Sequence, residues 1–323
     1  MSRGDRFLAL TGGVGGAKLA VGLRELLGPD ELAFLVNTGD DFEHLGLHVS
    51  PDLDSLMYAL ADLSNPDTGW GRRGETWQFI ETLRELGGET WFNLGDRDLA
   101  VHVQRTQRLR EGATLTAVTR ELNEALGTRH RVYPMSDDPV PTLVHTTQGP
   151  LAFQHYFVRE RCAPGVTGFE FAHAAEARPQ PEVLAMLADP ALTGIILCPS
   201  NPYVSIDPIL AVPGMRDALC ASAAPVVAVS PIVAGLALKG PTAKMMAELA
   251  VPSTATAVAA HYGDLLDGFV IDVQDEPLLG AFKGAGPAAI AAPTVMLTFD
   301  DKVRLATIVI EFARELRAVA NRR

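Results

Sequence analysis

No apolar run in the 323-residue chain reaches the roughly 18 residues that a membrane-spanning helix needs. No positively charged start leads into an apolar stretch of the signal-peptide kind. A cytoplasmic protein without a membrane partner is expected. Cysteine is scarce: Cys162, Cys198 and Cys220 form an odd set with no CxxC spacing, which argues against a disulfide framework and against a zinc site. Positive charge is in deficit, with 27 Lys and Arg against 39 Asp and Glu and a formal net charge of -12. Such a balance repels nucleic acid and anionic lipid in bulk, so a phosphorylated ligand must be held by a local site and by a metal cation. Internal repeats, heptad arrays and low-complexity tracts are missing too, and no shift in composition fixes a boundary. One α/β domain over 1–323 is therefore expected.

What is present begins with an apolar strand over 6–10, the glycine loop 11–16, and a helix over 17–27. A second strand at 32–36 completes a βαβ start, which implies a parallel sheet with a right-handed crossover. Apolar residues at helical spacing over 53–63, 75–86, 99–109 and 115–126 predict a helical insertion around 52–127. The stretch 132–157, alternating and rich in Pro and Thr, predicts a small β-rich portion. Short apolar runs at 194–197, 226–229, 269–271 and 295–297, separated by helical stretches, read as buried parallel strands. An amphipathic helix over 304–319 closes the chain. The fold class expected is α/β, a doubly wound, mostly parallel, Rossmann-like sheet.

Thr11-Gly12-Gly13-Val14-Gly15-Gly16-Ala17-Lys18 lies between a strand and a helix, where bare backbone and free amides can approach a phosphate. It fits neither the dinucleotide fingerprint nor the P-loop spacing, and a turn needed only for close packing is the alternative. Asn37-Thr38-Gly39-Asp40-Asp41 ends the second strand, and adjacent acids at a strand end suggest a metal. Ser50-Pro51-Asp52-Leu53-Asp54 reads either as a capped helix start or, through Asp54, as a further acid turned toward Asp40 or Asp41. Magnesium suits such a loose set, because waters and substrate phosphates complete its shell. Asp96 and Asp98 open a helix that carries His102 on the same face as Asp98, either as a surface ion-pair cluster or as a cradle for hydroxyl groups. Met135-Ser136-Asp137-Asp138-Pro139-Val140 is a turn by composition. Ser200 and Asn201 follow one apolar strand and Ser230 another, and such strand-end groups suit the edge of a base such as guanine; Gly240-Pro241 with Lys244 opens a further helix.

Taken in order along nearly the whole chain, these blocks resemble the 2-phospho-L-lactate transferase family of coenzyme F-420 biosynthesis, known as CofD in archaea and FbiA in mycobacteria. The resemblance implies transfer of a 2-phospholactyl or phosphoenolpyruvyl group from a guanosine diphosphate carrier to the terminal ribityl hydroxyl of the deazaflavin Fo, with release of GMP. It implies Mg²⁺ as cofactor, set against Asp41 and Asp54 with Asp40 a near equal, and Asp41 and Asp54 as the catalytic pair. Asp96, Asp98 and His102 would hold Fo, with Asp138 in a block built for that second substrate. Gly12, Gly13, Gly15, Lys18, Ser200, Asn201, Ser230 and Gly240 would hold the guanosine donor. The expected partners are these small molecules and a second copy of the chain, with no nucleic acid. A different class, a nucleotide-binding regulator similar to the gluconeogenesis-factor proteins, is the rival; the blocks at 95–98 and 135–140 speak against it, since a sensor of one nucleotide needs no second-substrate parts.

Overall fold

A parallel sheet must be covered on both faces, so its strands carry apolar side chains in both directions. The computed structural model describes residues 4–65, 70–238, 240–284, 286–320 and 322, and places seven such strands in one sheet. They are β1 (Phe7–Thr11), β2 (Leu32–Val36), β3 (Arg131–Pro134), β4 (Gly194–Leu197), β5 (Val226–Val229), β6 (Gly268–Asp272) and β7 (Ala288–Ala292). All neighbours pair in parallel, in the order β7-β6-β5-β4-β1-β2-β3. Leu8, Leu10, Leu35, Ile195 and Leu197 enter the core on one face, while Phe7, Ala9, Phe34 and Ile196 enter the core on the other. The doubly wound Rossmann-like sheet is thus present. Its winding reverses between β1 and β4, and in open sheets of this kind a crevice forms at that point beyond the carboxyl ends of the strands.

Between β2 and β3 stand α2 (Pro51–Leu60), α3 (Gln78–Glu85), α4 (Asp96–Arg110) and α5 (Leu115–Ala125), close to the four helical patterns of the sequence. A short hairpin, Phe42–His44 with Leu47–Val49, precedes them. It was not anticipated, since three-residue strands carry almost no periodic signal. The β-rich portion is a three-stranded antiparallel sheet of Gly149–Ala152, Thr142–Thr146 and Val166–Phe171. Two expectations need correction. The start of the 132–157 stretch does not belong to that small sheet, because Arg131–Pro134 forms the edge strand β3 of the main one. The last strand is not 295–297, where Leu297 is among the most exposed apolar residues, but Ala288–Ala292, pairing with β6 in unbroken register.

Helix α1 (Gly13–Leu26) packs along the carboxyl-terminal helix Phe299–Ala320 beneath the β1/β4 crevice. They approach closely at Gly22, where an added Cβ would stand 2.1 Å from the Lys302 carbonyl oxygen. Backbone cannot yield as a side-chain tip can, so Gly22→Ala is expected to destabilise the protein by about 1–3 kcal/mol in denaturant unfolding, despite alanine's better helix propensity. Unchanged or higher stability would contradict this packing.

Candidate active site

The crevice holds a cavity of about 610 Å³, within the roughly 300–1,000 Å³ usual for small-molecule sites. Its floor is the glycine loop. Gly13 turns the chain out of β1 with φ +67°, a left-handed conformation that suits glycine, and faces open space. Gly12 and Gly15 serve packing instead: an added Cβ would lie 2.7 Å from the Asp52 carboxylate at Gly12 and 2.6 Å from the Pro199 carbonyl at Gly15. The loop is tied to the turn after β4 by Ser200, whose hydroxyl accepts from the Gly12 N–H (3.2 Å) and donates to the Gly12 carbonyl (2.8 Å). The Gly13 N–H donates to Asp52 Oδ1 at 2.6 Å, and Lys18 Nζ donates to the Met296 carbonyl at 3.0 Å.

At the end of β2, one side chain organises the acids around it. The Asn37 amide nitrogen donates to Asp40 Oδ1 (2.9 Å), Asp52 Oδ2 (2.9 Å) and the Val204 carbonyl (3.2 Å), while its oxygen accepts from the Gly39 N–H. Burial disfavours charge on both acids. It pushes Asp52 from 3.8 up to about 6 against the hydrogen bonds from Asn37 and Gly13, and it raises Asp40 with help from Asp52's charge. Asp41 points elsewhere. Its Oδ2 accepts from the Ser50 hydroxyl (2.7 Å) and lies 3.1 Å from His48 Nε2, while its Oδ1 is buried without a hydrogen-bond partner. Burial raises its pKa as well, opposed by His48 and Ser50. Ser50 therefore gives its hydroxyl to Asp41 and does not cap α2, although Pro51 does open that helix.

The wall opposite comes from two helices. Asp54 and Tyr58 lie one turn apart on α2; Asp98, His102 and Arg105 follow one face of α4 at spacings of four and three. The fully buried Arg105 donates through both terminal nitrogens to the two oxygens of Asp54, and one of them also donates to His102 Nδ1 at 3.2 Å. Tyr58 donates its hydroxyl to Asp98 Oδ1 at 2.5 Å, and His102 Nε2 lies 3.5 Å from Asp98 Oδ2. One ligand atom from each of Asp54, Asp98 and His102 lies within 4.8 Å of the others, the one group of three such residues found among the described residues. Asp40, Asp41 and Asp54 do not gather that tightly. An aromatic flank of Trp70, Phe92, Phe153 and Phe157 completes the cavity, the last two stacked 5.5 Å apart.

Of the residues singled out from the sequence, Gly12, Gly13, Gly15, Lys18, Asp40, Asp54, Asp98, His102, Ser200, Asn201, Ser230 and Gly240 line the cavity. Asp41, Asp96, Asp138 and Lys244 stand outside its lining. Asp41 sits behind it with Ser50 and His48. Asp96 accepts from the Thr76 hydroxyl and from the N–H groups of Gln78 and Phe79, holding the start of α3. Asp138 forms an exposed ion pair with Arg178 at 3.0 Å. Lys244 turns instead to Glu248 and the Pro164 carbonyl. Sequence reasoning left Asp52 as a helix cap and passed over Tyr58 and Arg105. The signal for Arg105 was its place on the Asp98–His102 face of α4.

Fold and crevice together define a Rossmann-like α/β protein with an acid-lined cavity at its topological switch point. Residues 7–286 match the family of the 2-phospho-L-lactate transferase CofD. A phosphoenolpyruvate transferase from Kitasatospora aureofaciens is 42% identical over 97% of this chain and 99% of its own length. A 2-phospho-L-lactate transferase from Methanosarcina mazei is 38% identical over 94% and 99%. The chain belongs to the CofD family. In fold alone it is similar to a upf0052-family protein from Bacillus halodurans, at a TM-score of 0.64 and 16% identity over 95% of this chain and 99% of that one.

A carboxyl whose folded pKa is raised holds a proton that the unfolded chain has released. The stability this contributes is present in full below about pH 3.8 and lost as pH rises through about 6. The metal-free protein should thus lose stability from Asp52 between pH 4 and 6, each tenfold difference in proton affinity between folded and unfolded chain being worth at most about 1.4 kcal/mol. Denaturant midpoints at pH 5 and 7.5 should differ less in Asp52→Ala than in the wild type. An identical pH dependence in both would contradict the assignment.

Proposed function

We propose that this protein moves a phosphorylated three-carbon acid from a guanosine diphosphate carrier onto the terminal ribityl hydroxyl of Fo, giving coenzyme F-420-0 or its dehydro form. The observation that carries this reading is the two-sided cavity: a glycine loop and strand-end Ser and Asn on one side, and an aromatic flank beside Asp98 and His102 on the other. The first side offers backbone and small polar groups to a nucleotide diphosphate. The second offers flat apolar surface to a tricyclic ring and hydrogen-bonding groups to a polyol. Family membership supports the same reaction, and nothing in the comparisons supports the regulator. The higher identity to a relative named phosphoenolpyruvate transferase favours the enolpyruvyl donor.

The donor set suits magnesium. Its oxygens are hard, its acids are buried against their tendency to ionise, and Asp41 Oδ1 is left without a partner. Asp54 and Asp40, which line the cavity, would hold the ion, with Asp41 behind them, and when bound it would supply positive charge against the diphosphate. The chain's own work is positioning. The glycine loop, Asn201 and Ser230 orient the donor, while Asp98 and His102 orient the ribityl chain. The ribityl oxygen attacks the phosphorus bearing the three-carbon acid and its proton passes to a carboxylate of the site. The bond from that phosphorus to the GMP oxygen breaks, and GMP leaves. The reaction belongs in the cytoplasm, and the expectation of a homodimer is kept.

Two measurements test this. Incubation with Fo and each donor, followed by mass spectrometry, should yield the dehydro product from the enolpyruvyl donor; no product from either donor would overturn the reading. Asp98→Ala should weaken Fo by about tenfold or more, as loss of a charged hydrogen-bond acceptor does. The same substitution should leave the guanosine donor within about twofold; equal loss of both would remove Asp98 from the Fo side.

A further inference from the structure

Arg105 is the largest fully buried side chain among the described residues, yet it touches no cavity surface and stands behind Asp54 and His102. A guanidinium cannot accept a hydrogen bond and keeps its protons at any pH the protein survives. Its contact with His102 Nδ1 therefore runs in one direction: the arginine donates and the Nδ1 lone pair accepts. Asp54 Oδ2 also faces Nδ1, but at 3.6 Å it is too far for a hydrogen bond; with its Nδ1 lone pair taken by Arg105, a neutral imidazole carries its single proton on Nε2. That nitrogen is buried, has no full hydrogen-bond partner, and points to the Asp98 side of the cavity at 3.5 Å from Asp98 Oδ2. The same arginine occupies one lone-pair direction on each oxygen of Asp54. The carboxylate plane is thereby set, and one direction per oxygen remains for another partner.

From this we infer that Arg105 is a positioning residue with two effects: it fixes the carboxylate of Asp54, and it locks His102 as a neutral Nε2–H donor. His102 is then a hydrogen-bond donor to a substrate oxygen and neither a proton acceptor nor a metal ligand. The Asp54, Asp98 and His102 atoms lie within 4.8 Å of one another, but the lone pair that a metal would need on the imidazole is already taken. Any ion in the site meets oxygen donors only, which favours a hard cation over the borderline metals that imidazole attracts. The tautomer follows from Arg105 alone; the effect on turnover rests on the transfer reaction proposed above.

Long-range ¹⁵N–¹H correlation of the imidazole nitrogens in the full-length protein tests the tautomer directly. His102 should give the pattern of a neutral ring protonated at Nε2, unchanged on adding Mg²⁺. An Nδ1–H pattern, a charged ring, or loss of the Nε2 proton when Mg²⁺ is added would each overturn the inference, whatever the enzyme's substrate. Arg105→Lys keeps the charge without the fork. It should abolish the single-tautomer pattern and lower kcat about a hundredfold, the usual scale for a slightly misplaced reacting group, with KM for both substrates within about threefold. A lysine variant with wild-type kcat and an unchanged His102 pattern would also overturn it. Should the variant not fold, the wild-type spectrum still decides. Should no donor react with Fo, the transfer reading fails while the spectrum stands on its own.

Discussion

Everything in the molecule is arranged around the parallel pairing of β1 with β2 on one side and β4 on the other. Two windings that start from neighbouring strands and run apart leave a gap beyond their carboxyl ends that no crossover fills. The chain puts its least bulky backbone there: Gly12 and Gly15 allow the loop after β1 to lie against Asp52 and the turn after β4 at distances where a Cβ would collide. Ser200, bonded twice to Gly12, then joins the two halves across the gap. The close-packing reading of the glycine loop holds at Gly12 and Gly15. Gly12 and Gly15 are there for fit, and Gly13 for the turn that faces the cavity.

Upon this base the insertion between β2 and β3 delivers the charged groups. The burial of several carboxylates and one arginine is expensive, since each ion leaves water for a poorly polarisable interior. The molecule handles the cost in two ways. Asp40 and Asp52 share the Asn37 amide and rise toward neutrality, whereas Asp54 is matched by Arg105 and Asp98 is held below its ordinary value, despite burial, by His102, Tyr58 and Arg105. One site thus combines acids raised by burial on the glycine-loop side with Asp98, held low, on the α4 side. A diphosphate would enter against the first set and a polyol against Asp98 of the second, with Asp54 between them.

How far this was legible from the sequence depends on what each residue does locally. β2, β4 and β5 were read to the residue because Leu32–Val36, Gly194–Leu197 and Val226–Val229 are apolar runs with plain limits. β7 was missed because Ala288–Ala292 is mostly alanine, which signals no strand by itself and becomes one only by pairing with β6. Val295–Leu297 has a strand-like composition but no neighbour to pair with among the described residues. In the site, glycine and strand-end motifs could be found because their chemistry is local. Arg105 could not be singled out so easily: a charged residue within a polar helix reads as solvated, and only the packing of α4 against α2 makes it the counter-ion of Asp54. Asp96 and Asp138 had the opposite fate, since their motifs suggested ligands while the fold uses them to hold α3 and Arg178.

The central claim is that one cavity holds a deazaflavin and a guanosine diphosphate side by side. Titration of the protein with Fo, followed by deazaflavin fluorescence, in the presence and absence of saturating GDP and Mg²⁺, tests it most directly. Saturation at one Fo per chain under both conditions is the predicted result. Displacement of Fo by GDP, or no saturable Fo binding at all, would contradict the account.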